Sequence, residues 1–185
     1  MRTWNFFDNM LASMRAAQIT NMIEKDAVVC DIGCGSSASL LHSISKKIKK
    51  GIGLDQFVKD CEAGNIATKK TDIDGKRLPP EDSSCDAVLF LAVIEHLNNP
   101  EKTVLEIHRI LKPGGRVLLT TPSPSSRPLL EFLASIGIIN KEEVMDHKHY
   151  FSKEEMLQIL RDAKFRDIKF SYFQLGFNQR ATAVK

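Results

Sequence analysis

Val28-Val29-Cys30-Asp31-Ile32-Gly33-Cys34-Gly35-Ser36-Ser37 is an apolar run that breaks into a glycine turn and then opens a helix. The run predicts a buried parallel strand, and the helix is expected over Ala38–Lys47. Gly33 and Gly35 let the backbone come close to a ligand where a Cβ would collide. The helix start behind them offers N–H groups without intrahelical partners. A nucleotide-like cofactor suits that crevice.

Two cofactor classes fit the turn. Gly33-x-Gly35-x-x-Ala38 satisfies the loose dinucleotide fingerprint, and Asp55 lies 20 residues past Gly35, where a ribose-binding acid belongs. Asp31, however, stands at the mouth of the turn, where it would face a dinucleotide's pyrophosphate. Like unit charges at ~4 Å repel by about 1 kcal/mol in water and about 4 kcal/mol at an effective dielectric of 20. S-adenosylmethionine carries no phosphate. It brings an ammonium and a sulfonium, which a carboxylate attracts, so Asp31 favours the methyl donor over NAD.

From residue 27 onward apolar runs alternate with helical patterns. Strands are expected at Ala27–Ile32, Gly51–Asp55, Ala67–Thr71, Ala87–Ala92, Arg116–Thr121, Arg166–Gln174 and Gln179–Val184. Helices are expected at Asp8–Ile23, Ala38–Lys47, Pro100–Leu111, Pro128–Ile136 and Lys153–Ala163. The alternation argues for an α/β fold, a parallel sheet with helices on both faces. Leu175-Gly176-Phe177-Asn178 is short enough for a hairpin, which makes the last strand antiparallel. Ligands in such sheets bind beyond the carboxyl ends of the strands. Four ends then share one crevice: Asp31 with the glycines, Asp55-Gln56, Thr71-Asp72-Ile73, and Leu91-Ala92 followed by Glu95-His96.

The 185 residues suit one domain, and 43% hydrophobic with 26% charged residues describes an ordinary globule. A net charge of +3 is too mild to argue for nucleic acid. Lys46-Lys47-Ile48-Lys49-Lys50 reads as a solvated helix end at the edge of the sheet away from the crevice. Cys30, Cys34, Cys61 and Cys85 form no CxxC pair, and Cys30 and Cys34 sit in the strand and the turn. That usage fits a reduced, cytoplasmic setting. No apolar run is long enough for a membrane span, and the N-terminus lacks a signal-peptide core.

The chain resembles the class I S-adenosylmethionine-dependent methyltransferases, and within them the type 11 enzymes related to ubiquinone and menaquinone methylation. The resemblance covers roughly residues 20–173. It rests on Val28–Gly35, Gly51–Asp55, Thr71-Asp72, Cys85–Leu97 and Leu111-Lys112-Pro113-Gly114-Gly115-Arg116-Val117, in order and at natural spacing. It implies a Rossmann-like, doubly wound sheet of seven strands, the last antiparallel. Residues 1–25 would be an N-terminal helical arm and residues 123–151 an insertion on the acceptor side.

By the same resemblance, Asp31 neighbours the methionine end of the cofactor, and Gly33, Cys34 and Gly35 admit it. Asp55, with Gln56 beside it, bonds the ribose hydroxyls. Asp72 accepts from the adenine amino group, Ile73 lies against the ring, and backbone groups near Leu91 and Ala92 meet the ammonium. Ser37 stands where the family usually has a third glycine, and the stretch between Asp55 and Ala67 is short for the usual second helix. The product would be S-adenosylhomocysteine.

His96 is placed beside the cofactor. It is the candidate general base, needed where the acceptor holds a proton it cannot shed; alternatively it orders the turn after the fourth strand. Asp146-His147-Lys148-His149-Tyr150-Phe151 admits three readings: a metal site, packing, or lining of the acceptor site. The family places a histidine and an aromatic here, so His147, His149 and Tyr150 are assigned to the acceptor site, and no metal is expected. Leu129, Leu130, Phe132, Leu133 and Ile136 form an apolar stripe at helical spacing. Such a stripe is either core or the wall of a pocket for an apolar, lipid-like acceptor, with Phe132 lining it. Trp4, Phe6, Phe7 and Met10 could close the same side or pack on a second subunit, the chain being a monomer or homodimer.

The expected activity is methyl transfer to an oxygen or nitrogen of a small molecule. A protein that binds the cofactor without turnover is the alternative.

Overall fold

The computed structural model describes Met14, Ala16 and residues 19–185. The expected helix Asp8–Ile23 therefore lies largely outside the described residues, and Trp4, Phe6, Phe7 and Met10 lie wholly outside them.

The glycine-turn strand is the centre of the sheet. β1 (Val28–Ile32) is flanked by β2 (Lys50–Asp55) and β5 (Cys85–Leu91), both parallel to it. Beyond β2 come β4 (Ile66–Lys70) and, at the edge, β3 (Cys61–Ala63). Beyond β5 come β6 (Leu111–Pro122), β8 (Asn178–Val184) and β7 (Arg166–Phe173). β8 runs antiparallel between β6 and β7, as the short connection before it requires.

The sheet has eight strands rather than seven. The added strand, β3, pairs antiparallel with β4 through Cys61↔Thr68 and Ala63↔Ile66. A crossover helix does not fit between β2 and β4, so the chain folds back as a hairpin through Gly64, at φ 62. Asn65 secures it by donating from Nδ2 to the Ser45 and Ile48 carbonyls, at 2.9 Å each. A groove of about 500 Å³, lined by Ile52, Leu54, Ala67 and Pro80 among others, lies over this part of the sheet.

Helices cover both faces. α1 (Ser39–Ile44) packs Leu41 and Ile44 with Val29, Ala87, Leu89 and Leu118. α2 (Pro100–Ile110) and α5 (Lys153–Asp162) cover the other face, where Val104, Ile107, Met156 and Leu160 meet Cys30, Ile32, Val88 and Phe90. Neighbouring strand residues thus divide between two cores, as the two-residue period of a strand demands. α5 starts on a capping box: Ser152 Oγ accepts from the Glu155 amide, and the Glu155 carboxylate accepts from the Ser152 amide. α3 (Arg127–Ser135) and α4 (Lys141–Met145) lie between β6 and α5. The sequence pattern did not resolve α4.

α1 is shorter than expected at both ends. Ala38 sits in the left-handed region at φ 46, and no side chain caps the helix, Ser37 included. Its far end closes in turns, with Lys47 N–H donating to the Ile44 carbonyl at 2.8 Å. Among the described residues no helix is long and apolar enough to cross a membrane.

Candidate functional site

The carboxyl ends of β1, β2 and β5 meet around the glycine turn. Gly33 and Cys34 donate their amides to the Leu54 carbonyl at 2.8 and 3.2 Å, which ties the turn to the end of β2. Gly33 has φ +79, and a Cβ there would run into the Val93 side chain. Gly35 has φ +69, yet a Cβ there would meet nothing within 4 Å. Its missing side chain leaves open space at the mouth of the turn.

Asp55 braces this turn directly. Its Oδ2 accepts from the Gly35 amide at 2.9 Å and its Oδ1 from the Phe57 amide at 2.7 Å. Each oxygen keeps one further acceptor site. Asp31 is only 4% exposed, and among the described residues none hydrogen-bonds its side chain. Burial first, and then the Asp55 charge, push its carboxyl up to about 7. The Cys34 thiol is also pushed up, by burial and then by Asp31 and Asp55. Two buried carboxyls, Asp31 and Asp55, thus stand together at the turn.

The remaining strand ends are fixed by hydrogen bonds. Ile73 packs against the main core, and its carbonyl accepts from Thr103 Oγ1 at 2.9 Å. Asp74 pins the same loop to the start of α2 by accepting from the amides and side chains of Asn98 and Asn99. Burial opposes its charge, but those bonds prevail and hold its carboxyl below the usual range. Asp72 is exposed and accepts from the Asp74 amide at 3.0 Å. Gln56 is exposed as well. Ala92 leaves β5 with φ 54, its amide donating to the Thr120 carbonyl at 2.8 Å.

A second group of side chains adjoins the end of β5. His96, on the short helical turn Ile94–His96, places Nδ1 3.2 Å from Asp146 Oδ2. Its ring meets the His147 ring edge-on, with centroids 4.8 Å apart. His147 Nδ1 lies 2.9 Å from the Tyr150 hydroxyl, and the Arg127 guanidinium sits over the Tyr150 ring at 5.7 Å. Burial, followed by the Glu131 charge, raises the Tyr150 hydroxyl. Glu95 is 1% exposed, and its Oε2 accepts from Thr121 Oγ1 at 3.0 Å. The backbone holds the group together, because the Lys148 and His149 amides both donate to the Glu95 carbonyl.

A methyltransferase-domain family model matches residues 9–169. The chain belongs to the S-adenosylmethionine-dependent methyltransferases. Malonyl-[acyl-carrier protein] O-methyltransferase of Marinomonas sp. (strain MWYL1) is 35% identical over 167 residues, which is 85% of this chain and 60% of that protein. Ubiquinone biosynthesis O-methyltransferase of Rickettsia typhi is 23% identical over 82% of this chain and 65% of its own length. The chain thus spans less than two thirds of these two relatives. An Archaeoglobus fulgidus S-adenosylmethionine-dependent methyltransferase shares the fold with a TM-score of 0.73 at 17% identity, over 95% of this chain and 94% of that one. The methyltransferase bound to the Haloferax volcanii Trm112 activator has a TM-score of 0.70 at 19% identity, over 98% of each chain.

The residues present fit the family's cofactor, S-adenosylmethionine. Gly35 leaves room at the turn. Asp31 is a buried acid without a hydrogen-bonding partner among the described residues, which suits a ligand bearing two cationic groups. Asp55 already holds the turn and has acceptor sites left for a diol.

The structure brings together His96, His147 and Tyr150 of the expected acceptor-side residues. His149 departs from them: its Nε2 lies 3.1 Å from Glu155 Oε1, and its ring packs edge-on to Phe151. The α3 stripe is not core. Leu129, Phe132 and Ile136 are 37%, 59% and 53% exposed, and only Ala134 of the helix is buried. The sequence reading missed the depth of Glu95 and the pairing of Asp146 with His96. Glu95-His96 directly after an apolar strand was the available signal, since a carboxyl placed there is buried with its neighbour.

Proposed function

We propose that this chain transfers a methyl group from S-adenosylmethionine to an oxygen or nitrogen of a small apolar acceptor, in the cytoplasm. The observation that carries this reading is the junction of the two side-chain groups. The turn and the His96 group follow the paired strands β1 and β5, Gly33 lies against the Val93 side chain just before the His96 turn, and Arg127, which opens the exposed apolar helix α3, lies over the Tyr150 ring.

Bound at the turn, S-adenosylmethionine supplies a methyl carbon on a good neutral leaving group. The chain's own part is mainly to fix geometry: holding an acceptor atom in line at about 3–3.5 Å can supply roughly 7–11 kcal/mol. Asp31 balances cationic charge, Gly33 and Gly35 keep the turn close, and Asp55 keeps the turn in shape. Leu129, Phe132 and Ile136 offer an apolar wall to the acceptor. His96, its ring fixed by Asp146, sets the acceptor atom.

His96→Ala is expected to lower kcat about 100-fold or more while S-adenosylmethionine affinity stays within a few-fold. Phe132→Ser should raise KM for apolar acceptors and leave kcat nearly unchanged. Both are read as S-adenosylhomocysteine release over a panel of phenols, carboxylic acids and amines on apolar chains. Turnover confined to nucleic acid, or an unchanged kcat in His96→Ala, would refute the reading.

A further inference from the structure

We propose that Glu95, His96 and His147 form a site for a first-row divalent cation, which takes the oxygen atoms of the acceptor. The inference rests on the reading of His96 as the acceptor-setting group and says how it acts. One ligand atom from each of the three residues lies within 4.8 Å of the other two. Bonds of about 2.0–2.2 Å in a tetrahedral shell put ligand atoms roughly 3.5 Å apart. Small side-chain rotations close that difference.

The surroundings match such a site better than plain packing. Metal-bound histidines almost always give their second ring N–H to a carboxylate, backbone carbonyl or water, which fixes tautomer and orientation. Here His96 Nδ1 donates to the Asp146 carboxylate and His147 Nδ1 faces the Tyr150 hydroxyl. In both rings Nε2 is then the nitrogen that would meet a cation. Glu95 is held in the same way, with Thr121 Oγ1 donating to its Oε2. Charged groups near the cluster include Asp146 against His96, and Glu131 and Arg127 beside Tyr150.

Two imidazoles and one carboxylate suit Zn²⁺, Mn²⁺ or Co²⁺ and leave coordination positions open. An acceptor hydroxyl bound there has a lowered pKa. Its O–H bond breaks and the proton passes to water. The oxygen keeps that electron pair and forms the bond to the methyl carbon, as the C–S bond breaks with its pair going to sulfur. The acceptor class this selects is an oxygen acceptor with a second oxygen close enough to chelate.

Co²⁺ is the probe, because its visible bands report histidine and carboxylate ligation directly. Chelator-stripped protein should develop these bands on titration, to one Co²⁺ per chain. Glu95→Gln, which can still accept from Thr121, and His147→Ala should abolish them. Asp146→Asn and Tyr150→Phe should weaken Co²⁺ binding about 10–100-fold. His149→Ala should keep the bands. Far-ultraviolet circular dichroism and a cooperative melt show that each sample is folded, and S-adenosylmethionine binding is measured separately on each. Bands without cofactor binding would support the cation site while removing the methyltransferase reading. No bands in cofactor-binding wild-type protein, or bands that survive His147→Ala, would overturn the proposal. Loss in His149→Ala with retention in His96→Ala would do the same, by moving the cation onto the loop.

Discussion

Asp31→Asn is expected to stabilise the cofactor-free protein at pH 8 and to weaken S-adenosylmethionine binding about 100-fold or more. Both effects follow from one buried acid. The ordinary carboxyl value is 3.8, and in the folded chain burial and then Asp55 raise it to about 7. Between those values the folded state holds a proton that the unfolded state has released. Stability therefore falls as pH rises from about 4 to 7, and the full penalty stands above 7. At 1.36 kcal/mol per pH unit it is about 4 kcal/mol. Asparagine removes the ionisation, so chemical denaturation at pH 5 and pH 8 should show a difference in wild type that Asp31→Asn largely lacks. A cationic ligand reverses the balance, because it favours the ionised acid. Wild-type affinity should fall as pH drops below 7, and the variant should bind weakly at every pH. A wild type equally stable at both pH values, or a variant that binds as tightly as wild type, would contradict this account.

Asp55→Ala should lose cofactor binding by a different route. The substitution removes the carboxylate that accepts from the Gly35 and Phe57 amides at 2.9 and 2.7 Å. Each part-buried hydrogen bond lost costs about 0.5–1.5 kcal/mol, and somewhat more where the acceptor is charged. The turn would loosen where the ligand needs it fixed, and the acceptors for the ribose diol would go with it. Asp55→Asn keeps one acceptor oxygen and should lose less. The variant has a second, independent signature. Asp55 is part of what raises Asp31, so its removal should move the Asp31-dependent pH transition downward. Thermal melts across pH 4–8 would detect the shift, and an unmoved transition would mean that the two acids are not coupled.

The decisive part of the fold was legible because it is local. An apolar strand ending in Gly33-x-Gly35 needs no tertiary information to be read as a strand and a close turn. The alternation after it placed the parallel sheet and the antiparallel β8. β3 escaped notice because Cys61-Glu62-Ala63 is exposed and too short to show a period. The chain forms it for want of room for a helix, which is a constraint of connection and not of composition. The limits of α1 escaped for a similar reason: Ala38 takes a left-handed conformation that its residue type does not announce.

At the site, the sheet order places the ends of β4, β2, β1 and β5 side by side, which topology alone makes legible. What stayed hidden depends on side-chain direction. His147 and His149 alternate along an extended segment, so one turns toward His96 and the other toward Glu155. Sequence spacing shows that they diverge but not which faces inward. The α3 stripe posed the same problem, because helical spacing fits a core and a pocket wall equally well. Exposure at Phe132 and Ile136 decides against core.

The most direct test is calorimetric titration of the purified protein with S-adenosylmethionine, S-adenosylhomocysteine and NADH, with Asp55→Ala in parallel. The account predicts micromolar binding of both sulfur compounds, no heat from NADH, and loss of binding in the variant. NADH binding, or no binding of either sulfur compound to folded wild-type protein, would contradict it.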